Sequence, residues 1–250
     1  MIKLTRPQKP AILSSNEKTW LDALMAAIGK YGSYQEIPKD EKNKLISHYR
    51  HDKIKEVLFP SSFNKCAFCE GKPQENGNIE VEHFLPKSIH PTKTFSWDNF
   101  LPSCRKCNES KLAHDPEIEP LVNPYDDNPD DYFKYSDILI APLNDDQKAK
   151  STISVLGLNS ARLMQPRAEI LISLHIFSNN LKEALHDLEM ADTAKKKKHK
   201  ARKIIESMEI MEQLTEHQKA YSSYCRNYLN SCEPYKSAKK ISDTFIEQFS

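Results

Sequence analysis

Apolar residues recur at helical spacing on both flanks of this chain, and the short stretch between them follows a different rule. Trp20, Leu21, Leu24 and Ile28 form one such stripe, so the pattern predicts a helix over 16–29 and a second over 39–58, with Pro7 and Pro10 keeping the N-terminus extended. On the far side, Pro166 is expected to open a helix running toward Met190. Ile204, Met208, Met211, Leu214, Tyr221 and Tyr228 mark the buried stripe of one long later helix. In the middle, Ile79 to Glu82 alternate apolar and polar residues as a short strand does, and Pro86 ends the pattern soon after His83. Cys104, Cys107, Asn108 and Lys111 then stand at i, i+3, i+4 and i+7, which puts all four on one face of a helix beginning near Cys104. The chain thus reads as mainly α with a small α+β centre.

That centre carries the chemistry. Cys66-Ala67-Phe68-Cys69 and Cys104-Arg105-Lys106-Cys107 are two CxxC pairs separated by 34 residues. Each short loop lets two thiolates face one ion, and together they supply a tetrahedral four-cysteine zinc site with no open position, hence a structural one. Cys225 and Cys232 lack such partners and read as buried thiols outside the metal site. Between and beside the pairs lie Glu82, His83, Asn99 and Asn108, an acid, a histidine and two amides of the kind a metal-dependent phosphodiesterase needs. Asn99 is also an ordinary cap residue and Asn108 an ordinary helix-surface residue, while His90 and His114 read as satisfied histidines.

Composition narrows the class. Lys and Arg number 36 against 35 Asp and Glu, a net charge of +1 over 250 residues, so any attraction to nucleic acid must be local. The run Lys195 to Lys203 is locally basic and reads as the solvated start of a helix, with phosphate contact as the alternative. The acidic run from Asp126 to Asp131 reads as a turn-rich linker. No P-loop, no recognised nucleic-acid-binding motif, no signal peptide and no run of about eighteen apolar residues occurs, which points to a cytoplasmic chain with no membrane span. The domain division expected is an N-terminal helical region 1–59, a zinc-bound core 60–125 and a C-terminal helical region 126–250.

Glu82-His83, Trp97-Asp98-Asn99-Phe100-Leu101 and Cys104-x-x-Cys107-Asn108-x-x-Lys111, in that order, resemble the HNH endonuclease superfamily with its zinc-supported ββα-metal core. Within it, Cys66 to Glu70, Val81 to Ser88 and Trp97 to Cys104 are similar to the HNH nuclease subunit of Septu anti-phage systems, also found beside some retrons. Weaker similarity continues through Leu121 to Pro124 and Leu156 to Asn159. The resemblance implies His83 as general base, Asn99 orienting it, Glu82 and Asn108 as ligands of one Mg2+ or Mn2+, and Lys111 as a possible phosphate contact. Most of the superfamily has Asp before the histidine. Here Glu82 is one methylene longer, and Glu80, on the same strand face, is an alternative ligand. Family likeness further implies a partner ATPase and a nucleic-acid substrate, DNA by default, with RNA such as tRNA open. The competing readings are a catalytically silent zinc scaffold or nucleic-acid-binding module, and a stand-alone restriction-type nuclease.

Overall fold

Residues 1–73 and 77–249 are described by a computed structural model. The chain divides into two compact units, one formed by Met1–Phe133 with Ile140–Ser160, the other by Lys134–Leu139 with the chain from Ala161 onward.

In the first unit, α1 (Ala11–Tyr31) outruns its expected span at both ends: it starts just past the extended Pro10 and stops where Gly32, at φ +89°, donates its N–H back to Ile28. Leu24 is buried and Trp20 is half-buried, stacked on His48 with centroids 4.6 Å apart. The single helix expected over 39–58 is in fact broken. It consists of α2 (Lys39–Ile46), a 3-10 turn (Ser47–Arg50) and α3 (Asp52–Leu58). His51 leaves the helical region at ψ 137° and its ring accepts from the Lys53 N–H, capping α3. The break turns Tyr49 into the core and Arg50 outward.

β1 (Ile79–His83) forms as expected and pairs antiparallel with β2 (Phe100–Cys104), Glu80 opposite Ser103 and His83 opposite Phe100. α4 (Arg105–Lys111) follows without a loop, capped by Cys104, whose Sγ accepts from the Cys107 N–H at 3.5 Å. Two strands and a helix therefore meet at Cys104. The acidic run is an ordered turn of this unit: the Asn123 amide binds Asp126, and Asp127 pairs with Lys148 at 2.7 Å. α5 (Gln147–Val155) places Thr152, whose hydroxyl accepts from the Val122 N–H, and Asn159 grips both backbone groups of Ile140.

Strands β3 (Phe133–Ser136) and β4 (Leu139–Pro142) make a second two-stranded sheet. In the second unit, α6 (Ala161–Glu189) begins five residues before Pro166, which sits inside it; so near the N-terminus the missing N–H removes one hydrogen bond and the helix continues. The later stripe is split between two helices. Ile204, Met208 and Met211 are buried on α7 (Ala194–Gln213), the chain then turns, and Tyr221 at φ +53° precedes α8 (Ser222–Ser231) with Tyr228 half-buried and Leu214 exposed. α9 (Glu233–Phe249) packs with α6 and α7. The basic run lies on α7 as an exposed, ion-paired face, with Lys200 on Asp187 and Arg202 on Glu206. No helix among the described residues is long and apolar enough to cross a membrane.

Candidate functional site

The two CxxC loops meet because the first is tied to the second strand. The Ala67 N–H donates to the carbonyl of Pro102 at 2.8 Å, and Cys66 and Glu70 close the knuckle through Gly71 and Cys66 carbonyls. All four sulfurs are buried and lie within 4.8 Å of one another, Cys69 and Cys104 at 3.9 Å. Four thiolates on one tetrahedral zinc stand about 3.8 Å apart, given Zn–S bonds of about 2.3 Å, so the cluster has the size and the soft donors that zinc requires. Contact with the Cys104 sulfur, above all, pushes the Cys69 and Cys107 thiols well above their ordinary range, while Cys66 and Cys104 fall below theirs. Cys225 and Cys232 are buried elsewhere, Cys232 against the Ser178 hydroxyl.

One face of β1 looks onto α4. Glu80 accepts from the Asn108 amide at 3.0 Å, and Glu82 accepts from the Lys111 ammonium at 3.0 Å, which also donates to the His83 carbonyl at 2.9 Å. Period two along the strand matches one helical turn, so Glu80 and Glu82 each meet a different helix residue. Asn108 is thus joined to Glu80, and Lys111, 1 % exposed, is a buried partner of Glu82. Burial pushes the Glu82 carboxyl above its ordinary value even with Lys111 beside it.

His83 is 3 % exposed and its ring lies edge-on to Tyr49 and Phe100. Its Nε2 stands 2.9 Å from the carbonyl of Thr94. A carbonyl only accepts, so Nε2 carries the hydrogen and the neutral ring keeps its lone pair on Nδ1. Burial, then the charges of Lys87, Lys111 and Arg50, press its pKa down from 6.5 to about 3. Asn99 does not hydrogen-bond to the imidazole. It donates to the carbonyls of Leu85 and Lys93 and accepts from the Leu85 N–H, pinning both ends of the loop that presents the Thr94 carbonyl. His90 and His114 are satisfied by Asp115 and by the Glu119 carbonyl, as expected.

Three residues near His83 escaped the sequence reading: Tyr49, Arg50 and Lys87. Lys87 lies inside the quoted Val81 to Ser88 run and had a signal there; Tyr49 and Arg50 come from the N-terminal helical region and had none.

The site is thus a four-cysteine knuckle joined to a strand–strand–helix unit, with Glu80 and Glu82 of β1 bonded to α4 and the His83 ring packed on Tyr49 and Phe100. The chain is 42 % identical to Septu protein PtuB of Bacillus thuringiensis over 116 residues, 46 % of this chain and 44 % of that protein. It is 24 % identical to Septu protein PtuB of Bacillus mycoides over 221 residues, 76 % of this chain and 74 % of that one. A shorter match, 33 % over 97 residues, is to Protein ea31 of Escherichia phage lambda and covers 38 % of this chain and 30 % of that protein. The first match therefore spans less than half of its relative. No family model matches the chain. These likenesses make the chain similar to PtuB over most of its length.

Proposed function

We propose that the chain is a Septu-type anti-phage defence component, a divalent-metal-dependent HNH endonuclease that hydrolyses phosphodiester bonds of nucleic acid alongside a partner ATPase. The observation that carries this reading is the hydrogen bond of His83, whose Nε2–H is tied to the Thr94 carbonyl and whose Nδ1 lone pair is thereby left to accept a proton. Nδ1 takes the proton of a water whose oxygen attacks phosphorus, and the ester oxygen leaves. Asn99 keeps the ring in place through the loop. Glu80, Glu82 and Asn108 offer hard oxygen donors on one strand–helix face and would hold Mg2+ or Mn2+, Glu82 on condition that it yields an oxygen now bonded to Lys111. Such a cation, when bound, neutralises the phosphate and stabilises the leaving oxygen.

The test is cleavage by the chain with its neighbouring ATPase against duplex DNA, single-stranded DNA and total RNA, with and without Mg2+. His83→Ala should lower cleavage roughly 10²–10⁴-fold with zinc content and folding intact. Full activity in that variant overturns the mechanism, and no cleavage of any substrate by the wild type leaves the silent zinc scaffold as the reading.

A further inference from the structure

Tyr49 is 5 % exposed and its ring centroid lies 4.6 Å from that of His83. Two cations gather over the same ring. The guanidinium carbon of Arg50 is 5.0 Å from its centroid, with Nε donating to the Tyr49 hydroxyl at 2.9 Å, and the Lys87 ammonium is 5.3 Å from it. Cation–π attraction accounts for each contact singly, but at exposed sites it is worth only about 0.5–1 kcal/mol, and it does not remove the repulsion between two like charges sharing one ring.

Neither cation has a carboxylate in ion-pair contact among the described residues, whereas Lys53 and Lys55 of the adjoining α3 each have one. Glu82, the nearest acid acting on Lys87, is bonded to Lys111. Lys87 is also half-buried, so water compensates its charge only in part. Arg50 presents a planar fork of donors and Lys87 a point charge, complementary ways of binding phosphate oxygens. Both also act electrostatically on His83.

We infer that Arg50 and Lys87, gathered over Tyr49, form a clamp for a backbone phosphate of the substrate beside His83. This rests on the nuclease reading and adds to it a contribution from outside the cysteine-to-lysine motif: the break between α2 and α3, which turns Arg50 outward, is what supplies half of the clamp. The clamp recognises the phosphodiester backbone shared by DNA and RNA, and is sequence-independent.

The experiment is binding of fluorescent DNA duplex, DNA single strand and RNA to the full chain in complex with its ATPase, in the His83→Ala background so that substrate stays intact, over a series of salt concentrations. On the strand type bound best, Arg50→Gln and Lys87→Gln should each weaken binding several-fold at low salt. Each should also reduce the slope of log affinity against log salt by about 0.7–0.9, with Arg50→Lys restoring most of that slope. Lys53→Gln, on α3 and paired with Glu56, is the control and should change neither. Zinc content reports folding. Unchanged slope and affinity in both Gln variants, or no binding to any of the three probes, overturns the clamp. A wild type that cleaves normally beside clamp variants that bind normally sinks the clamp alone, whereas variants that lose binding in a complex that never cleaves keep the clamp and remove the nuclease.

Discussion

His83 binds no proton in the folded chain until pH falls to about 3, whereas the unfolded chain takes one up near 6.5. Between those values the unfolded state holds more protons, so the contribution of His83 to stability rises with pH and is lost as pH falls through the window. His83→Gln should therefore narrow the difference in urea midpoint between pH 5 and pH 7 relative to wild type, a comparison that subtracts every other titrating group. An equal difference in both proteins would mean the imidazole takes up its proton in the fold as readily as in the unfolded chain. Asn99→Ala strips a donor and an acceptor from buried loop backbone at Leu85 and Lys93, and should cost about 1–3 kcal/mol by denaturant titration together with loss of cleavage. At this scale residue types were legible in the sequence and partners were not. Glu80 and Glu82 are equivalent by strand period, and only the stagger of helix against strand assigns Asn108 to the first and Lys111 to the second.

Seven residues are too few for a helix that stands by itself, and α4 is held from both ends, by Cys104 and Cys107 at its start and by Lys111 at its finish. Purified protein should accordingly contain about one zinc per chain, and Cys66→Ser or a strong chelator should unfold the first unit, monitored by circular dichroism and metal analysis. Lys111→Met leaves the Glu82 carboxylate buried and alone, a loss of about 3–5 kcal/mol where removal of a surface lysine would cost almost nothing. β1 and α4 could be read from the chain because the first carries a period of two and the second a period near 3.6. β2 hid its nature: all five of its residues are buried, so no alternation exists, and it contains Pro102, which an edge position tolerates. The interruptions at His51 and after Gln213 hid too, since neither carries the glycine or proline that usually marks a break.

Across the whole molecule, a net charge of +1 leaves little long-range pull on nucleic acid, so the isolated chain should bind substrate weakly and depend on its partner to deliver it. Cys66, Cys69, Cys104, Cys107, Arg50, Glu80, Glu82, His83, Lys87, Asn99 and Asn108 all belong to the first unit. A chain cut after Ser160 should keep its zinc and its fold, and co-purification with the ATPase then tells whether the second unit supplies the docking surface; a metal-free, aggregated fragment would show that the two units do not fold separately. The path of the chain between the units also sets an order in time. Lys134–Leu139 departs to the second unit and Ile140–Ser160 returns to the first, where Thr152 and Asn159 bind Val122 and Ile140. On a ribosome, domains mature as their sequence emerges, so the cysteine-bearing unit has its last residues once Ser160 has cleared the exit, while the chain from Ala161 onward is still inside the tunnel or not yet made. The unit that carries the cysteine cluster and His83 is therefore complete before the helices from Ala161 onward can pack.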